Sequence, residues 1–164
     1  MTTTKKTTTR KTRTPKKRLP PNPFIHEVLE LVSEQRTKAK KIEVLQEYRD
    51  DPLTAILIWN FDESVISAVP DGQVPYKENE VPVGTDHTSL RREWKTLYHF
   101  VRGGNDKLNN LRRETMFVQL LEGLHPREAE IVCLVKDKRL TDVYKITQQQ
   151  VEEAYPDIVW GDRS

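Results

Sequence analysis

The stretch Asp51 to Phe61, DPLTAILIWNF, decides the class of fold. Asp51 predicts a helix cap and Pro52 suits the first turn. The leading amides of a helix lack internal partners, and proline has no amide to satisfy. From Leu53 to Phe61 the residues are apolar almost all round. A helix without a polar face has to be enclosed by others, so this segment predicts the centre of a helical domain. Its apolar run, Ala55 to Trp59, is far too short to span a bilayer.

Working outward, the same punctuation recurs. Asn22 predicts a cap and Pro23 a first helical position. Phe24, Ile25, Val28, Leu29 and Val32 follow on one arc, with Glu27, Glu30 and Glu34 on the other. Thr37 predicts the cap of a second helix burying Ile42, Leu45 and Tyr48. Beyond Phe61, Asp62 predicts the cap of a short helix through Val69. Residues 70–86, PDGQVPYKENEVPVGTD, hold three prolines and two glycines and read as a long irregular loop. Val74, Tyr76, Val81 and Val83 are the residues able to pin it to the body.

A helix is expected from Thr88 to Arg102, ended by Gly103-Gly104. Asn105 predicts the cap of the next helix, which runs to Glu122 and stops at Gly123. His125-Pro126 opens another through about Lys138. Val143 to Ile146 reads as extended. Thr147 with Gln150 forms a capping box for a last helix to Tyr155. Ile158, Val159 and Trp160 close the chain as an apolar tail. The fold class expected is all-α: a compact multi-helix domain over residues 22–164 with one long Pro-rich loop. A disordered basic arm is expected over residues 1–21.

The arm follows from charge. Lys5, Lys6, Arg10, Lys11, Arg13, Lys16, Lys17 and Arg18 are eight of the 27 basic residues, and none of the 25 acidic residues falls in residues 1–20. The remaining 144 residues carry 19 basic and 25 acidic side chains, so the body is net −6 behind a cationic arm. Met1 and Leu19 are the arm's only large apolar residues, too few to offset the entropy lost on ordering. Such a segment binds polyanions by displacing their counterions. Within it, Thr14-Pro15-Lys16-Lys17 resembles the Ser/Thr-Pro-Lys-Lys element of linker histone tails, which implies contact with nucleic acid.

A second cationic element lies on the helix expected at 88–102. At 100° per residue, Arg91, Arg92, Lys95, His99 and Arg102 share an arc of about 100°, with Glu93 the one acid in the segment. Leu90, Trp94, Leu97, Tyr98, Phe100 and Val101 take the other side, and Trp94 is expected to anchor the core. Lys107, Arg112 and Arg113 extend the basic set. The arc reads as a phosphate-contacting face, or as a solvated face paired with Glu27, Glu30 and Glu34.

Catalytic and metal signals in the sequence are thin, and Asp86-His87, which could belong to a triad, has no serine nucleophile motif beside it. His26, His87, His99 and His125 have no spacing that places two on one helical face, and one cysteine makes no zinc cluster. No phosphate-cradling glycine loop and no serine nucleophile motif occurs. Cys133, among Ile131, Val132 and Leu134, reads as a buried small hydrophobe. A single cysteine suits a reducing cytosol, and the basic N-terminus has no apolar stretch behind it of the kind a secretory signal needs. Leu124 to Val151 resembles the opening and closing of the response-regulator helix-turn-helix, with matching letters from Leu124 to Leu134. The segment from Val135 to Ile146 is too short for that motif's middle helix, and Pro126 opening an amphipathic helix explains the same letters. No enzyme activity, metal, cofactor, small-molecule substrate or membrane partner is expected.

Ile56 to Phe61 (ILIWNF), Asp62-Glu63-Ser64, Val74-Pro75-Tyr76, Arg91 to Asn105, Glu114 to Lys138 and Ala154 to Ile158 together resemble an uncharacterised protein family. Its members come from large contractile-tailed phages of marine bacteria, cyanobacteria among the hosts. The resemblance spans residues 24–161. It implies a phage protein acting in a host bacterial cytoplasm or carried in a virion, and it assigns no residue a role. The function expected is a non-enzymatic accessory protein that binds nucleic acid without sequence preference through its arm and a phage or host protein through its helical body. The competing classes are a virion structural or assembly component and an adaptor for replication or transcription machinery.

Overall fold

The computed structural model describes residues 18–82 and 87–163. The expectations for the cations from Lys5 to Lys17 and for Val83 fall outside them. Among the described residues seven α-helical segments run in chain order: α1 (Ile25–Glu34), α2 (Lys38–Glu47), α3 (Asp51–Phe61), α4 (Leu90–Glu93), α5 (Asn110–Gly123), α6 (Pro126–Lys136) and α7 (Gln148–Ala154). Two 3-10 segments, Trp94–Phe100 and Leu140–Asp142, complete the set. Among the described residues the only β pairing is two isolated bridges, so the fold is all-α.

α3 lies in the core as its composition demands. Leu53, Ile56 and Leu57 are fully buried, and the helix packs along α6. Each such side chain contributes about 1.5–3 kcal/mol by leaving water. The cap differs by one residue from expectation. Asp50, not Asp51, accepts the Leu53 amide at 3.0 Å. α1 also starts later than Asn22-Pro23 predicts. Asn22 turns the chain at φ +53°, a conformation asparagine tolerates, and the helix begins at Ile25. Glutamates do the capping there: Glu27 accepts the Phe24 amide at 3.1 Å and Glu128 the Ile25 amide at 3.0 Å.

α2 follows its predicted cap, with Thr37 accepting the Lys40 amide, and packs on α1 and α7. Leu45 is buried, while Ile42 and Tyr48 are partly so. Thr147 and Gln150 form the capping box of α7 as expected. Val143 to Ile146 is irregular and forms no strand.

Asp62 does not cap a helix. Its buried carboxylate takes the Ser64 amide and hydroxyl at 2.9 and 2.6 Å, the Gly161 amide at 3.1 Å and the Arg163 guanidinium at 2.9 Å. With those groups occupying it, residues 62–69 turn and then pair antiparallel with Val101. The closing tail alternates rather than burying throughout: Ile158 and Trp160 pack on the core while Val159 is exposed.

Residues 70–82 carry no helix or strand. Val74 and Tyr76 pack partly against the core, whereas Val81 is exposed. Lys136, buried on α6, ties the start of this segment down by donating to the Pro70 and Gly72 carbonyls at 2.8 and 3.0 Å.

The helix expected over 88–102 is the largest departure. One α-turn at Leu90–Glu93 tightens directly into 3-10 winding, and the chain is extended again by Val101. Pairing at the far end explains the early stop. Ala68 donates to the Phe100 carbonyl at 2.7 Å and Arg102 to the Ile66 carbonyl at 2.8 Å, so those groups are withdrawn from any helical ladder. α5 likewise begins at Asn110 under an Asn109 cap, not at Asn105.

Candidate nucleic-acid interface

The α-turn at Leu90–Glu93 and the 3-10 winding from Trp94 to Phe100 together leave residues 91–100 in three rows. Arg91, Trp94, Leu97 and Phe100 form the inward row. Phe100 and Leu97 are 2% and 6% exposed, and the Phe100 ring meets Phe117 edge-on at 5.2 Å. Trp94 is half-buried against the core rather than a fully buried anchor. Glu93, Thr96 and His99 form a second row, lining a cleft of about 300 Å³ with Met116, Gln119 and Leu120. The third row, Arg92, Lys95 and Tyr98, points to solvent, and Tyr98 is 49% exposed. The arc expected for an α-helix puts Tyr98 on the buried side. A 3-10 winding moves it onto the ridge that carries two cations.

The ridge is held from both ends. Beneath its start, Glu128 is fully buried and accepts the Leu90 amide at 3.1 Å, alongside the Ile25 amide it already holds. Beneath its end, Arg113 is buried and donates to the carbonyls of His99, Asn105 and Leu108 at 2.8, 2.9 and 3.0 Å. Gly104 crosses close over the run, and a Cβ there would overlap the Tyr98 carbonyl, so only glycine fits.

The basic residues read from the sequence have different fates. Arg91 does not stand free: its Nε donates to the Pro23 carbonyl at 2.7 Å and its Nη1 pairs with Asp50. Arg113 is a buried scaffold residue, not an extension of a surface patch. Arg102 is exposed but has left the run, and it lines a cleft of about 500 Å³ with Asp71 and Asp106. Arg92 and Lys95 remain exposed and have no carboxylate partner among the described residues. The Lys95 ammonium lies 5.8 Å from the Trp94 ring centre. The alternative pairing with α1 acids does not occur at Glu27 and Glu30, which engage Phe24 and Arg127. Arg92 also lines a cleft of about 420 Å³ with Asn22, Pro23 and Phe24, the residues by which the arm joins the body. Arg18, the last arm cation, is exposed, and Leu19 next to it donates its amide to the Tyr48 hydroxyl at 3.2 Å.

Three histidines that no sequence spacing connects meet beside this cleft. His26 stacks on His125 at 4.8 Å and 22°, His87 lies 5.8 Å from His125, and Phe24 flanks both His26 and His125. Nδ1 of His26 and of His87 is buried without a partner. Burial, and then the neighbouring imidazole, pushes the pKa of His26 and His125 down. Among the described residues no group of histidine, cysteine and carboxylate side chains is placed to hold a metal ion. Cys133 is half-buried, and burial raises its thiol to about 11, which leaves it protonated and unreactive at neutral pH. Among these residues no helix is long and apolar enough to cross a membrane.

Tyr98 and the histidine cluster are the features that sequence reasoning missed. A signal for the first existed: Trp94, Leu97 and Phe100 recur at intervals of three, the spacing of 3-10 winding. None existed for the second, because its members come from α1, the cap of α6 and the loop before α4.

The chain belongs to a family of unknown function, DUF6433, which matches residues 28–142. The matched span contains the ridge and excludes the arm. No curated protein and no solved structure matches the chain.

Proposed function

Starting from that family, to which no activity is attached, we propose that this is a non-enzymatic nucleic-acid-binding accessory protein of a bacteriophage. It works in the host bacterial cytoplasm or in the virion, and its helical body serves as a platform for a phage or host protein. The phage assignment rests on the sequence resemblance. The observation that carries the binding role is one of charge. Eight cations without an acid precede the body, and Arg92 stands without a carboxylate partner among the described residues, in the cleft formed by the residues joining arm to body. Arg92 and Lys95 thus extend the arm's charge onto an otherwise acidic body. Interactions of this kind go to phosphates and carry no sequence information.

The test is a salt titration of binding to unrelated duplexes. The full chain should bind them alike, with a log–log slope of magnitude up to about 7 if all eight arm cations engage. Deleting residues 2–18 should remove most of that slope. Neutralising Arg92 and Lys95 should lower its magnitude by about 0.9 for each phosphate that is no longer neutralised. A full chain that binds neither DNA nor RNA at low salt overturns the proposal.

A further inference from the structure

We infer that the Arg92–Lys95–Tyr98 ridge is a contact for single-stranded nucleic acid, with the two cations on successive phosphates and the Tyr98 ring stacked on a base. The inference rests on the proposed binding role and specifies its substrate. Three observations combine in it. Lys95 and Tyr98 stand three residues apart on the 3-10 run, about 6 Å at roughly 2 Å each, and Arg92 stands three residues earlier on the α-turn that leads into it. The ridge's two cations have no carboxylate partner among the described residues. Its third member is an aromatic ring, half exposed, lying against the His99 ring at 4.0 Å and 35°.

His99 is itself anchored: its carbonyl accepts from Arg113, and its Nδ1 lies 3.0 Å from the Asn105 amide nitrogen. Tyr98 is therefore presented by a rigid support, and little side-chain freedom disappears when a base stacks on it. Cations in line with an aromatic platform are the chemistry by which single strands are held, since their base faces are open. A duplex keeps its base faces stacked internally, so it would use Arg92 and Lys95 and leave Tyr98 idle. A protein partner would have to bring carboxylates for both cations and an apolar cap for the ring, and Tyr98→Ala would then leave single-strand binding unchanged.

The experiment compares binding of the full chain to an oligothymidylate and to a mixed-sequence duplex of equal length, by fluorescence anisotropy across a salt series. Tyr98→Ala should weaken the single strand roughly 5- to 160-fold, the range for removing one base–aromatic stack, and leave the duplex nearly unchanged. Its salt slope should not move, because no charge is removed. Tyr98→Phe should retain single-strand binding. The double variant Arg92→Gln, Lys95→Gln should lower the slope on both ligands. Equal weakening on both ligands, or none on the single strand, overturns the inference while leaving the charge-based reading intact. Binding of neither ligand by the unaltered chain overturns that reading instead.

Discussion

Asp50 divides its carboxylate between two helices: Oδ1 caps α3 through the Leu53 amide, and Oδ2 holds the guanidinium of Arg91. Arg91 in turn holds the Pro23 carbonyl, so one ion pair joins the start of α3, the entry to α1 and the foot of the ridge. Arg91→Ala should lower unfolding free energy by about 1–3 kcal/mol, because it strands a carbonyl and half a carboxylate in a mostly desolvated setting. It should leave nucleic-acid affinity close to that of the unaltered protein. Urea unfolding and a binding titration on the same variant decide it. Unchanged stability with weakened binding would make Arg91 a ligand-binding residue after all.

Glu128 is a fully buried carboxylate bonded to the amides that open α1 and α4. Glu128→Ala should cost about 2–4 kcal/mol, since two buried amides lose their acceptor at once. Its pH dependence has an unusual sign. Burial pushes the carboxyl above the ordinary carboxylate value even though both amides and Arg91 favour the charged form. The folded state therefore holds this proton more tightly than the unfolded chain does. Stability from this group is greatest at low pH and declines as pH rises from the usual carboxylate range through the raised value. In urea unfolding, the stability of the unaltered protein relative to Glu128→Gln should fall as pH rises above the ordinary carboxylate range. A relative stability that rises with pH would refute the assignment.

The stacked histidines respond in the opposite direction. His26 is held neutral first by burial and then by His125, while Glu30 and Glu27 pull weakly the other way. A histidine whose folded pKa is depressed supports the fold above the ordinary value near 6.5 and loses that support as pH falls through the depressed one. Stability should thus drop on acidification below about pH 6.5. His26→Phe, which keeps the stack with Phe24 and His125 but cannot charge, should lose less. Proton-detected titration of the imidazoles supplies the independent check: unshifted midpoints for both His26 and His125 would contradict the prediction.

The elements that were legible in the sequence are those whose signals act within a turn of the chain. Thr37 reaches the Lys40 amide, Thr147 and Gln150 reach each other, and Pro126 opens α6 behind His125, all within three or four residues. α3 was legible because a segment apolar on every side admits one location. The cations of the arm were legible as charge alone. What tertiary structure decided are the places where a side chain or a strand-like pairing from far along the chain outcompetes a local cap. The Leu90 amide is taken by Glu128, 38 residues away, and the Ile25 amide by the same carboxylate from 103 away. Asp62 is engaged by Gly161 and Arg163 instead of a helix of its own. Arg102 pairs with Ile66, which ends the winding after Phe100. That pairing stops the run where an α-helix was expected to continue, and the 3-10 winding before it decides which residues share a face, because rows repeat at three residues rather than 3.6. Arg92, Lys95 and Tyr98 became neighbours on one ridge, and Arg91 became a strut, through backbone hydrogen bonds to segments whose approach no local pattern encodes.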